Sequence, residues 1–285
     1  MTGAVRNGVL MSSGPELSAA AQAFDAVAAR FDARFGAWRS VAAQRNAVRT
    51  ELLNAFAKDA RVLELGCGTG EDAQWLVERG RHVFVTDASP TMVDLARTKL
   101  SGREAGASVV AAEDLARLAD EHRADGTPPF DGAFSNFAAL NCVTDLSPVA
   151  DALVRLVRPG GQVLLVVFGV VVPGEWVVEL ARRNWRAILR RADAGDVPAR
   201  IGGNEFTIRY HRRRAIERSF HPYFRLVGRR GIGVFVPPSA AEPWISDHPR
   251  LLAALERLDR VGSGVLAALG DHVLYRFERT SERTR

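Results

Sequence analysis

The sequence predicts an α/β protein built on a doubly wound, mostly parallel sheet with helices on both faces. Three observations carry this. Short apolar strands alternate with helices of about ten residues between Arg61 and Gly169, the rhythm of a parallel sheet. A glycine-rich turn joins the first of those strands to its helix. The 285-residue length, with 47% hydrophobic and 25% charged residues, suits one large domain and excludes a disulfide scaffold or a disordered chain.

Taken in order, residues 1–15 read as a flexible start and residues 16–285 as one domain. Phe24, Val27, Ala28, Phe31 and Phe35 recur at three- and four-residue spacings, predicting an amphipathic helix. A second helix, Trp38 to Phe56, places Val41, Ala42, Val48, Leu52 and Phe56 on one face. These helices, within 16–57, precede a core at 61–169. There "RVLELG" reads as a strand, "EDAQWLVERG" as a helix and "HVFVTDAS" as a strand. "PTMVDLARTKL" is a helix opened by proline, where the missing N–H costs nothing. "ASVVAAEDL", "FDGAFSN" and "QVLLVVFG" read as the third to fifth strands, the last two separated by the helix "PVADALVRLVRPGG".

Residues 170–220 break the rhythm and read as a basic insertion. It opens with a helix "PGEWVVELARRNWRAILRRA", whose Val177, Leu180, Ala181, Ile188 and Leu189 oppose Arg182, Arg183, Arg186 and Arg190. A strand "EFTIRYH" and a helix "RRRAIERSF" follow. Residues 221–285 supply the strand "FRLVGRRGIGVFV", the helix "HPRLLAALERLDRVG" and the strand "HVLYRFER".

The net charge of +5 is unevenly spread. Residues 1–169 sum to −3, residues 170–235 to +8 and residues 236–285 to 0. The longest uncharged apolar run, Val163 to Gly174, is too short to cross a bilayer. The first dozen residues lack the apolar core of a signal peptide, and two cysteines, Cys67 and Cys142, form no framework. A cytoplasmic location is the expectation.

The chemistry concentrates in "VLELGCGTGEDA". Gly66, Gly68 and Gly70 sit where the backbone must turn tightly against a ligand. A dinucleotide turn would present its N–H groups to a pyrophosphate, but here Glu71 and Asp72 follow the last glycine and Glu64 precedes the turn. Three carboxylates disfavour phosphate and suit a cationic ligand such as an ammonium or sulfonium. Asp87, 17 residues beyond Gly70 at the end of the second strand, can accept from both hydroxyls of a ribose. Met92 can pack on an aromatic base, and Glu113-Asp114-Leu115 can accept from an exocyclic amine.

With these residues in register, the chain resembles the class I S-adenosylmethionine-dependent methyltransferases of the ubiquinone/menaquinone-methyltransferase-like group. The resemblance covers Arg61 to Gly169 through "VLELGCGTG", "VTDASPTMV", "AAEDL", "FDGAFSNFAALNCV" and "LVRPGGQVLLVVF", and extends to a lid helix in "FDAVAARFD". It implies a Rossmann-like sheet of seven strands with antiparallel C-terminal strands, a helical lid in the insertion, and S-adenosyl-L-methionine as cofactor with S-adenosyl-L-homocysteine as product. By the same resemblance, Glu64 and Gly66 hold the methionine amino group, and Cys67, Gly68, Thr69 and Gly70 pass under the sulfonium. Asp87 takes the ribose, Ala88 and Met92 flank adenine, and Asp114 and Leu115 read its amino edge. Asn136 and Phe137 lie near the transferring methyl.

Methyl transfer is an in-line displacement governed by positioning. A base is needed when the nucleophile carries a proton. Among six histidines, His82 starts an internal strand, His122 sits in a polar loop, and His248 and His272 read as turn or strand-edge residues. Tyr210, His211 and His221 lie in or beside the insertion that lines the acceptor pocket in this family, and they are the base candidates, His211 first. Cys142 reads as an inert buried thiol. No metal is expected. The segment "SNFAAL" after the fourth strand lacks the "NPPF/Y" pattern of enzymes that methylate amino groups on DNA bases or glutamine.

The expected activity is therefore methyl transfer to a small organic acceptor at oxygen. The arginines of the insertion could clamp an anionic acceptor, meet an anionic membrane surface, or simply be solvated. The alternatives are an RNA methyltransferase using that basic segment, disfavoured for want of an RNA-binding module, and a protein that binds the cofactor without transferring methyl.

Overall fold

The computed structural model describes residues 17–103, 105–183, 191 and 195–281. The expected flexible start, 1–15, and the Arg186–Arg190 half of the insertion helix lie outside them. Strands β1 (Arg61–Leu65), β2 (His82–Asp87), β3 (Ala105–Val109), β4 (Phe130–Ser135), β5 (Val157–Phe168), β8 (Phe224–Ile232) and β9 (His272–Arg279) form one sheet in the order β3-β2-β1-β4-β5-β9-β8. Strands β1 to β5 pair in parallel, whereas β9 runs antiparallel to both β5 and β8. The reversal sets His272 opposite Phe168 and Ile232. The start of β9 therefore shares the edge on which the parallel strands end, where open α/β sheets bind ligands.

Alternation along β1 divides the core. Leu63 and Leu65 face one apolar layer, with α6 (Leu115–Ala124), α7 (Ser147–Leu156) and α9 (Arg213–Phe220) contributing Leu118, Leu153 and Phe220. Val62 faces the other layer, with Leu52, Leu76 and Ala96 from α3 (Arg39–Ala55), α4 (Glu71–Val77) and α5 (Pro90–Lys99). Each fully buried leucine contributes about 1.5–3 kcal/mol. Helix α5 is fixed at its start by Pro90 and by Ser89, whose Oγ accepts from Met92 N at 3.1 Å.

Four local expectations are corrected. The N-terminal amphipathic stripe is two helices, α1 (Ala19–Asp25) and α2 (Ala28–Phe35), with Val27 as the cap of the second. The third strand ends at Val109, not near Leu115. A single 3-10 turn at Ala112–Asp114 and α6 follow, so His122 lies in the last turn of a helix rather than a loop. Residues 204–209 are not a lone strand but β7 (Asn204–Arg209) of a hairpin with β6 (Asp196–Ile201). In α8 (Pro173–Ala181), Val177 and Leu180 are 68% and 48% exposed, while Glu179 of the same helix is buried. The described part of the insertion thus covers the sheet edge with a hairpin, and the apolar face of α8 is turned outward. Among the described residues, no helix is long and apolar enough to cross a membrane.

Candidate active site

A cavity of about 540 Å³ opens along the carboxyl edge of the sheet, within the range of small-molecule sites. One end is bounded by Gly66, Asp87, Ala88 and Met92, and Asn136 and Phe137 stand at its middle. Helix α1, with Phe24, and the hairpin of residues 196–209, with Phe206, cover it, and Tyr210 follows just past the hairpin. Phe24 and Phe206 touch across the cover, ring centroids 5.4 Å apart.

The glycine turn is fixed by contact as well as by dihedral. Gly66 has φ +66°, and a Cβ there would lie 2.3 Å from the Cβ of Ala139. No L side chain fits without displacing the segment after β4. At Asp87, Oδ2 accepts from Gly68 N and Oδ1 from Ser89 N, both at 2.9 Å. Each oxygen retains acceptor capacity. Burial pushes this carboxyl up, against the lowering pull of those N–H groups.

The three carboxylates around the turn differ in state. Asp72 is already neutralised, by Arg45 at 3.0 Å and Arg49 at 2.8 Å from α3, and it accepts from Asn136 Nδ2 at 2.7 Å. Glu71 pairs with Lys99. Glu64 is 2% exposed, and its Oε2 has no hydrogen-bond partner among the described residues. Burial and the neighbouring Asp72 charge hold its carboxyl well above the usual range. The cationic-ligand reading thus narrows to Glu64.

Sequence-derived residues divide between wall and support. Gly66, Asp87, Ala88, Met92, Asn136, Phe137 and Tyr210 line the cavity; Glu64, Cys67, Gly68, Thr69 and Gly70 stand behind it. The Thr69 hydroxyl donates to Asp32 of α2 at 2.6 Å and accepts from Lys99 at 3.1 Å, which ties the turn to α2. Asp114 is exposed and Leu115 is fully buried in the core, so Glu113 and Ala112 reach the cavity in their place. His211 does not reach it either. Its Nε2 lies 3.1 and 3.0 Å from the carbonyls of Leu140 and Val143 and is held as a donor to backbone. His221 is exposed and away from the wall.

The far wall holds groups that sequence reasoning missed. Arg191 is 7% exposed; its Nη2 binds Asp271 Oδ1 at 2.7 Å and its Nε pairs with Glu175. Beside them His272 lines the cavity, its ring 5.0 Å from that of Phe168 and edge-on to Phe137 at 5.9 Å. Cys142 also reaches the cavity, with its thiol pushed up to about 12 by burial. It is no thiolate nucleophile at neutral pH. Among the described residues no cluster of His, Cys, Asp and Glu could hold a metal ion.

This strand order, with a glycine turn and an acidic strand end on one cavity, defines a class I S-adenosylmethionine-dependent methyltransferase domain. Residues 62–161 match the family model described as "Methyltransferase domain", and the chain carries a domain of that family. Over 110 residues it is 36% identical to the ubiquinone biosynthesis O-methyltransferase of Xylella fastidiosa, covering 37% of this chain and 41% of that one. Over 251 residues it is 30% identical to the biotin biosynthesis bifunctional protein BioCD of Bordetella avium, covering 86% of this chain and 50% of that one. The chain thus spans half or less of the length of these two relatives. A solved Burkholderia thailandensis 1,6-didemethyltoxoflavin-N1-methyltransferase shares the fold at 18% identity and a TM-score of 0.51, over 94% of this chain and 93% of that one.

Proposed function

We propose that the protein transfers a methyl group from S-adenosylmethionine to an oxygen of a small, uncharged organic acceptor. The observation that carries this is the single cavity running from Asp87 and Met92, past Asn136 and Phe137, to Tyr210 and His272. The cofactor supplies an electrophilic methyl on a sulfonium. Its site fits this chain: Glu64 Oε2, without a hydrogen-bond partner among the described residues, matches an ammonium, Asp87 has acceptor capacity for ribose hydroxyls, and buried Met92 offers a polarisable wall for the base. Oxygen is supported by the "SNFAAL" segment and by the name of the Xylella relative.

An uncharged acceptor is favoured over an anionic one because Arg191, the buried cation of the far wall, is already engaged by two carboxylates. Three of the insertion's eleven arginines are also paired locally, Arg200 with Glu205, Arg209 with Asp196 and Arg213 with Glu217. The chain's first contribution to catalysis is positioning, holding the acceptor oxygen in line with the methyl between aromatic walls.

Calorimetry with S-adenosylhomocysteine tests the cofactor half: binding by the native protein and its loss in Asp87→Ala are expected, and no binding by the native protein refutes it. A panel of hydroxyl and amine acceptors tests the other half. Turnover confined to amines overturns oxygen, and no turnover with intact binding supports a non-catalytic protein. Turnover on RNA, weakening steeply with salt, supports the RNA reading.

A further inference from the structure

We propose that His272, oriented by Asp271, is the base that takes the proton from the acceptor hydroxyl, and that the acceptor seats its hydroxyl-bearing plane among Phe137, Phe168 and Tyr210. This rests on the methyl-transfer reading above.

The inference stands on placement. His272 opens β9 on the ligand edge of the sheet and lines the cavity beside Phe137, the residue next to the acceptor-side end of the β4 segment. Phe137 and Phe168 flank its ring, and Phe168 also contacts Tyr210, centroids 5.9 Å apart. A chamber with three aromatic walls and one imidazole suits a planar, largely apolar molecule with one polar group. Of the described histidines, His272 alone lines this cavity.

A carboxylate stands beside one nitrogen of the ring. His272 Nδ1 makes no hydrogen bond among the described residues, but it stands 3.5 Å from Asp271 Oδ2. Catalytic contacts are often this long before substrate binds. Asp271 is itself fixed by Arg191 and by Gln44 Nε2, 3.4 Å from Oδ2. The charged and titratable groups around the imidazole are Asp271, Arg191, Glu175 behind Arg191, and Tyr210. With Nδ1 turned to Asp271, Nε2 is the nitrogen left for the acceptor. Burial and Arg191 lower the imidazole's proton affinity while Asp271 raises it, and the balance falls below the usual histidine range. That direction favours the unprotonated ring, the form a base must start in.

In the proposed step the acceptor's O–H bond breaks toward His272 Nε2 as its oxygen forms the new C–O bond. The electron pair of the broken C–S bond stays on sulfur, which leaves as a neutral thioether. The imidazolium passes its proton to water, with Asp271 as the positioning carboxylate that stabilises it.

The test uses His272→Asn, His272→Ala and Asp271→Asn in the full chain, with thermal unfolding as the folding control. Calorimetry with S-adenosylhomocysteine is expected to give affinities within about two-fold of native for both His272 variants. Turnover with a hydroxyl acceptor is expected to drop by about 100-fold or more, with loss of the acid limb of the kcat/KM profile. In cofactor-free protein, proton NMR of the His272 ring is expected to show its titration moving to lower pH in Asp271→Asn. Full turnover across pH in His272→Asn, or a ring titration unmoved in Asp271→Asn, overturns the proposal. Absence of S-adenosylhomocysteine binding by the native protein instead overturns the methyl-transfer reading beneath it.

Discussion

Asp25 of α1 and Thr91 of α5 are joined twice: the Thr91 N–H donates to Oδ1 and its hydroxyl to Oδ2, both at 2.9 Å. Ser89 Oγ donates to the same carboxylate at 2.6 Å. A helix that covers the cavity thus supplies the N-terminal carboxylate of a helix beneath it, at the positive end of the α5 dipole. Burial pushes the Asp25 carboxyl up, but the Ser89 and Thr91 hydrogen bonds outweigh it and hold it below the usual range. Its contribution is therefore present above the ordinary aspartate pKa and lost as pH falls through the lowered folded value. Asp25→Ala is expected to cost about 1–2 kcal/mol at pH 7. Denaturant unfolding at pH 7 and pH 3 checks this, since the variant should lose less than native between the two.

Glu64 has the opposite linkage. Burial and Asp72 hold its folded pKa above the unfolded value, so its contribution is complete below the ordinary glutamate pKa and declines as pH rises through the raised value. An ammonium arriving beside it pulls that pKa down, and binding must release a proton. The S-adenosylhomocysteine enthalpy, measured in buffers of different ionisation enthalpy, is expected to show this release near the raised pKa, with affinity rising with pH. Glu64→Gln should abolish the buffer dependence, and an unchanged dependence would assign the proton elsewhere.

Gly66→Ala meets two barriers, the positive φ and the Cβ of Ala139. A non-glycine residue in that backbone region costs about 1–3 kcal/mol. Unfolding curves should show at least that loss, and calorimetry an S-adenosylhomocysteine affinity reduced more than about ten-fold, since each 1.4 kcal/mol is a factor of ten. Adding Ala139→Gly removes the contact but not the dihedral, so it should restore part of the loss. Full restoration would show that the contact alone mattered.

Phe206 is 9% exposed and meets Phe24 over the cavity. Truncation to Ala removes an aromatic pair worth about 0.5–1.5 kcal/mol between the two covering elements. Faster cofactor dissociation in stopped flow, with little change in global stability, is the expected outcome. A drop in stability without a change in dissociation would place Phe206 in the core rather than the cover.

Much of the sheet was legible because its signals are local. "RVLELG" and "HVFVTDAS" carry strand, turn and polar strand end within eight residues, and β1 and β2 lie where those strings predict. Helix α6 was missed because the run Val109–Ala112 extends β3 by composition, while Leu115, Leu118 and Ala119 show helical spacing only once the strand has ended. The acidic ring around the glycine turn was overread because its neutralising partners, Arg45 and Arg49, sit more than 20 residues upstream. His272 reads as a turn or strand-edge residue and does open β9, but that it lines the cavity depends on which way β9 runs, a property of the assembled sheet and not of "HVLYRFER". The choice of His211 failed for a related reason: the two carbonyls that hold it come from residues about 70 positions away.

Because β9 lies between β5 and β8, strand β8 is synthesised before the neighbour that joins it to the sheet exists. Until residues 272–279 emerge from the ribosome, β5 ends the parallel array with an open edge, and the Asp271–His272 wall is missing. The glycine turn and Asp87 belong to β1 and β2, so one end of the cavity is encoded early in the chain while the opposite wall waits for its last strand.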